Sequence, residues 1–289
     1  MQIGPIPPWI AAPLVVGAFA ALVWQEIRRP LRRGIEPKPR RQARNFAVAA
    51  LGAITVAAAE SPLILPLTGL VEHHRWGLLG LVDLPPWGEA AAALLLMDYT
   101  FYVWHVLMHR VPFLWRFHSV HHVDLDLDTS TALRFHFGEL LASIPWRAAQ
   151  VLAIGLTPVT FSLWQVAFAL SVLFHHSNVE IPIRWERLIN RLIVTPRMHG
   201  VHHSVVPEET NSNWSSGLTI WDWLHGTIRL NVPQREITIG VAAFQDPRSV
   251  TLPRILVMPF EPAPEYWQLP DGRTPAPHST AAPPDRLLA

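Results

Sequence analysis

The histidines of this sequence fall into short, regularly spaced groups. "HVLMH" carries His105 and His109, "HSVHH" carries His118, His121 and His122, and "HGVHH" carries His199, His202 and His203. On a helix, positions i, i+3 and i+4 share one face, so each group can aim its imidazoles at a common centre. Imidazoles gathered in a water-poor place are costly without partners. A metal ion satisfies their lone pairs and takes the neutral form present near pH 7. His105 and His109 alone would also suit an interfacial pair at a helix end, but the dense run from His105 to His122 favours metal binding. Eight imidazoles exceed the needs of one tetrahedral or octahedral ion, so the count suits two ions within bridging distance. The chain has no cysteine, which excludes thiolate zinc sites, cysteine nucleophiles, disulfides and cysteine-ligated iron–sulfur clusters.

Two further histidines are candidates, His136 in "ALRFHFGE" and His176 in "FHHSN"; each also reads as an interfacial histidine. His175 is the weaker of its pair, and His278 reads as a solvated tail residue. Glu139, Asn178, Glu180 and Asp222 are candidates to orient ligands from behind, the alternative for the acids being plain solvation.

The elements that must position these residues are apolar. The chain is 50% hydrophobic and only 16% charged, with 13 Trp and 28 Pro among 289 residues, which points to a membrane protein rather than a soluble domain. Net charge is +1, yet Arg28, Arg29, Arg32, Arg33, Lys38, Arg40, Arg41 and Arg44 crowd one segment between two apolar runs. That pattern marks a cytoplasmic loop, with a docking surface for an acidic partner as the lesser reading, and it argues against a nucleic-acid partner. The first run, about Pro8 to Trp24, has its arginines after it and reads as an uncleaved anchor. The second, about Phe46 to Leu70, contains Glu60, which should face a neighbouring helix. An outer loop with His73 and His74 follows, and a third run, about Glu89 to Trp104, continues into His105 and His109.

The apolar stretch from Glu139 to His175 is interrupted by Pro145, Arg147 and "GLTP". Read as a hairpin of two short helices, it returns the chain to the side it left, as it must if all three clusters meet. The expected architecture is therefore an all-α, multi-pass membrane protein of about four membrane segments including this hairpin, with a histidine-rich helical cap facing the cytoplasm. Residues 1–86 would form the N-terminal membrane helices and basic loop, and 87–231 the histidine-bearing domain. Residues 232–289 form a C-terminal segment expected to be mobile from about 260.

The ordered set HxxxH, HxxHH, "ALRFHFGE", "HSN", "TPRMHGVHH" and a closing "WD…GT" resembles the fatty acid hydroxylase superfamily, which includes sterol desaturases. The resemblance runs from about Ala92 to Arg229. It implies metal ligands at His105, His109, His118, His121, His122, His199, His202 and His203, with His176 a further one and His136 a less certain one. It further implies two iron ions, replaceable by zinc in a purified form, and O2 as co-substrate. The expected reaction is hydroxylation or desaturation of a membrane lipid or sterol-like substrate. Composition, with one lysine against 22 arginines, points separately to a high-GC bacterial source and hence to a bacterial inner membrane. Asn213-Trp214-Ser215, His225-Gly226-Thr227 and "RFHF" depart from the family's habit, which bears on the pocket more than on the ligands. With no cysteine and no glycine-rich nucleotide fingerprint, electrons should come from a separate ferredoxin, cytochrome or flavoprotein reductase. The rival expectation is a metal-transporting or non-redox metal-binding membrane protein. Transport would call for ligands through the membrane interior, whereas these flank the apolar runs on one side.

Overall fold

The computed structural model describes residues 4–279; the first three residues and the end of the proline-rich tail, from 280, lie outside them. Proline supplies many of the helix starts. Pro8, Pro86, Pro112, Pro158 and Pro196 each open a helix, where the missing N–H has no helical partner to lose and φ is already suitable. Pro13, Pro66 and Pro145 instead lie within helices.

The long helices come first. α1 (Pro8–Arg28) leads to α2 (Lys38–Thr55), which passes through one π-helical turn (Val56–Glu60) into α3 (Ser61–His74). α4 (Pro86–Arg110) and α5 (Pro112–His122) are joined by a single residue, Val111. α6 (Phe137–Gln150) ends in a second π-helical turn (Val151–Gly155), and α7 (Pro158–His176) follows, its first turn closed by reciprocal Thr157–Thr160 bonds. The cap continues with α8 (Ile183–Ile189), α9 (Pro196–His202), α10 (Pro207–Thr210), α11 (Ile220–His225) and α12 (Leu252–Val257). The expected all-α class holds, and no strand occurs among the described residues.

Among the described residues, four helical stretches are long and apolar enough to cross a membrane: Pro8–Arg28, Lys38–Leu81, Pro86–Arg110 and Pro158–His176. Large apolar side chains such as Trp9, Val16, Ile54 and Leu65 lie exposed along them, while charged and polar groups fill the cap interior. That inversion suits a lipid surround. A core of Ile64, Val71, Met97, Val151, Ile154, Phe161 and Trp164 ties α3, α4, α6 and α7 together.

Contacts at the two ends fix the direction of each helix. The N–H of Ile6 donates to Ser162 Oγ at 2.9 Å, and a Cβ on Gly77 would lie 2.3 Å from the Gly155 nitrogen. The start of α1, the turn after α3 and the α6–α7 turn therefore share one end. Gly77 (φ 83°) and Gly155 (φ 89°) adopt left-handed backbone at this close approach, which glycine tolerates without a Cβ penalty. At the opposite end the loop after α1 pairs with the chain leaving α7, Leu31 N to Asn178 O and Glu180 N to Arg29 O, both 2.8 Å. The stretch through α6 and its π turn thus runs away from the histidine end and α7 runs back to it, the hairpin that the clusters require. His73 and His74 sit at the far end, in the last turn of α3.

The basic segment is more than a loop between spans. Arg28, Arg29, Arg33 and Arg40 stay at the surface, but Arg32, Arg41 and Arg44 are buried. Arg41 donates to Asp124 at 2.9 Å and also pairs with Asp128, Arg44 holds Glu36 at 2.6 Å, and Arg134 meets Asn45 at 3.0 Å. Asp124 also receives Asn45 and Thr131. These bonds lock the loop after α5 onto α2, and removing one partner from such a buried network costs about 3–5 kcal/mol.

Of the segment expected to be mobile from Phe260, residues 260–279 lie against the cap, and the remainder is outside the described residues. Trp267 stacks on Trp115 with ring centroids 5.4 Å apart, and His278 meets the buried Glu209 carboxylate at 3.0 Å rather than standing in solvent. Proline-rich composition carries no signal for such aromatic and ionic anchors.

Candidate metal centre

α4, α5, α7 and α9 deliver their histidines to one place. His105, His109, His118, His122 and His202 form one group, and His121, His176, His199 and His203 a second. Within each group every residue offers a ring nitrogen, and these nitrogens lie within 4.8 Å of one another. The i, i+3, i+4 spacing does this work. Neighbouring residues His121 and His122 on α5 feed different groups, as do His202 and His203 around the end of α9. The rings of His122 and His203, one from each group, stack at 4.3 Å.

Acceptors behind the rings set their tautomers. The Nδ1–H of His105 donates to the Trp214 carbonyl at 2.7 Å, that of His202 to Ser212 O at 2.8 Å, that of His176 to Val172 O at 2.8 Å, and that of His118 to Glu139 at 3.0 Å. Each bond leaves Nε2 as a lone pair facing inward, the arrangement that metal-bound histidines adopt. Asp222 acts one step further back. It accepts the N–H of Trp214 at 3.0 Å and of Ser215 at 2.9 Å, holding the carbonyl that receives His105.

The donor set fits a metal. In the second group the Nε2 atoms of His121 and His176 lie 2.9 Å apart, His176 and His199 3.0 Å, and His199 and His203 3.1 Å. The Nδ1 atoms of His121, His199 and His203 are buried without partners, as are both ring nitrogens of His109 and His122 and the Nε2 of His118 and His202. No choice of tautomers satisfies so many sealed nitrogens, whereas a cation in each group would. Burial, reinforced by neighbouring imidazoles, holds His121, His122, His199 and His203 well below the usual histidine range. Burial also lowers His202 to about 3, against the opposing bond to Ser212. Neutral imidazole is the ligating form, so these rings need no deprotonation to receive an ion.

Some of the expected positions lie elsewhere. His136 belongs to neither group: its Nδ1 accepts the Gly138 N–H at 3.0 Å as the cap of α6, and its Nε2 donates to Leu256 O at 3.1 Å. A lone histidine before an apolar helix reads equally as ligand or cap. Asn178 braces the α1–α2 loop, with its amide bonded to Arg32 O at 2.8 Å, and Glu180 pairs through its backbone with Arg29. His175 lies outside both groups, its ring 4.2 Å from that of His199. The sequence reading missed the carbonyl anchors Trp214 and Ser212, because backbone acceptors have no residue-type signature. It also missed the Arg41–Asp124 lock, for which the acid alternation in "VDLDLD" was the available sign.

Together these features define an integral membrane protein whose helices carry a metal-competent histidine centre at one end of the bundle. Residues 90–227 match the family model described as fatty acid hydroxylase. Among curated relatives, the ornithine lipid hydroxylase OlsE of Rhizobium tropici is 33% identical over 53% of this chain and 45% of its own length. Human cholesterol 25-hydroxylase is 32% identical over 61% of each chain. The alkylglycerol monooxygenase of Xenopus tropicalis is 30% identical over 56% of this chain and 35% of its own length. The match therefore spans between about a third and three fifths of these relatives. No solved structure matches.

Proposed function

We propose that the chain is an O2-dependent di-iron hydroxylase of a membrane lipid or sterol-like substrate. The observation that carries this reading is the pair of adjacent imidazole groups, nine histidines in all, in a domain whose named relatives oxidise lipids, sterols and alkylglycerols. The ligands would be His105, His109, His118, His122 and His202 for one ion, and His121, His176, His199 and His203 for the other. Two irons bound there would supply O2 activation and the oxidising power to replace a C–H by a C–OH bond, or to make an alkene.

The chain's own residues do the rest. Glu139, Trp214, Ser212 and Val172 hold four rings in one tautomer, so the centre is built before any ion or substrate arrives. Phe101 lies 6.4 Å from His105 and packs on Phe168 at 4.3 Å, forming an apolar wall on the membrane side that would keep water from the reacting carbon. Electrons would come from a separate ferredoxin, cytochrome or flavoprotein reductase. The surface arginines at positions 28, 29, 33 and 40 support a cytoplasmic orientation of the histidine end by the positive-inside rule.

Metal analysis of the purified protein, joined to lipid mass spectrometry of cells with and without it, tests this reading. Two irons per chain and a lipid gaining one oxygen, or losing two hydrogens, are expected. A protein purified with full metal occupancy and an unchanged lipid profile under reductant and O2 would favour the non-redox alternative.

A further inference from the structure

A second polar site lies within the membrane span, away from the histidines. Arg147 on α6 and Glu60 at the end of the first π turn face each other, with Nε 3.7 Å from the carboxylate, too far for a hydrogen bond. Arg147 lies against the face of Trp164 at 4.2 Å. Its Nη1 donates to Gln150 at 3.0 Å, and Gln150 donates in turn to Thr100 on α4 at 2.7 Å. That branch is closed. The Arg147 Nε–H is buried with no acceptor, and among the described residues Arg147 is the ion-pair partner of Glu60, at 3.7 Å. Charged groups in a membrane interior are expensive and by default functional, and a polar gap beyond 3.5 Å invites a bridging group. The π turn that ends at Glu60 is the kind of helix irregularity found at functional sites.

The pair stands in line with the metal-competent centre. From His105 an aromatic row passes through Phe101 at 6.4 Å, Phe168 at 4.3 Å and Trp164 at 5.0 Å, where Arg147 is seated. Along α6, Arg147 lies eight residues beyond Glu139, the partner of His118, a rise of about 12 Å. Ala57 and Ala58, beside Glu60 on the same turn, are exposed on the bundle's surface.

We infer that Arg147 and Glu60 bind the hydroxyl of an elongated apolar alcohol, a sterol or a long-chain or glyceryl-ether alcohol, lying along this row with a carbon some 12 Å away at the histidines. The chemistry selects a hydroxyl. The Arg147 Nε–H needs an acceptor and the Glu60 carboxylate needs a donor, and one hydroxyl serves both. A carboxylate or phosphate would be repelled by Glu60, and an amine by Arg147. This site deepens the hydroxylase reading, on which it rests for its orientation toward the centre.

Equilibrium binding to zinc-loaded protein in lipid nanodiscs, without O2 or turnover, tests it. The probes are radiolabelled cholesterol against its methyl ether and hexadecanol against its methyl ether; an ether accepts a hydrogen bond but cannot donate one. Wild type should prefer at least one alcohol over its ether by about tenfold or more, and which pair responds separates a sterol from a chain alcohol. The Glu60→Leu/Arg147→Met double variant removes both charges together, which a membrane interior accepts better than one stranded charge, and it should bind alcohol and ether alike. Equal binding of alcohol and ether by wild type, or a preference surviving in the double variant, would leave the pair as a helix brace only and overturn the proposal. Intact discrimination in a protein that never oxidises a lipid would count against the enzyme reading alone.

Discussion

Glu139 accepts the Nδ1–H of His118 at 3.0 Å, tying the first turn of α6 to the middle of α5. The bond turns Nε2 of His118 toward the five-histidine group, where it has no protein partner. Replacing Glu139 with Ala frees the ring without removing a ligand. Metal affinity of that group should fall about 10–100-fold, the usual cost of losing an orienting partner. Equilibrium dialysis against a metal chelator reads the loss, and an unchanged affinity would mean that packing alone orients the ring.

His136 and His122 make a contrasting pair. His122→Ala should halve the metal bound per chain or abolish it. His136→Ala should leave metal content intact and cost about 1 kcal/mol of stability through the lost helix cap. Elemental analysis beside thermal unfolding separates the two roles, and metal loss in the His136 variant would return that residue to the ligand set.

Arg41 reaches both Asp124 and Asp128 with almost no exposure to solvent. Arg41→Met removes the cation shared by two buried carboxylates and should cost about 3–5 kcal/mol, enough to loosen the loop after α5. Arg40→Met, on the exposed side of the same turn, should be nearly silent. Paired denaturation curves in detergent check this, and equal stability of the two variants would contradict the lock.

Acid should unfold the metal-free protein early. His121, His122, His199 and His203 sit well below the usual histidine range and His202 near 3, so between about pH 6.5 and 3 the unfolded chain binds protons that the folded chain refuses. Stability is complete above about pH 6.5 and declines as pH falls, by up to about 1.4 kcal/mol per pH unit for each such proton. Unfolding midpoints measured from pH 7.5 to 4.5 should drop steeply without metal and less so with it. A flat profile for the metal-free form would mean that water reaches these rings.

The sequence made the site legible where side-chain type and helical period coincide. His118, His121 and His122 had to share a helix face, as did His199, His202 and His203. Joining them demanded an even number of crossings between, which turned an ambiguous apolar stretch into the α6–α7 hairpin. Other contacts have no periodic trace. Trp214 and Ser212 serve through their carbonyls, which any residue could supply. Arg41 and Asp124 lie far apart in the chain, and a basic cluster beside a span has a sufficient explanation in topology alone. Trp267 sits in a proline-rich tail where composition conceals its stacking on Trp115.

The three short Nε2 contacts joining His121, His176, His199 and His203 bear on the protein's life in a cell. Newly made chains that have not acquired their ions would keep this knot of lone pairs pressed together and open more readily to quality-control proteases. Under the di-iron reading proposed above, abundance should follow iron supply even at constant transcription.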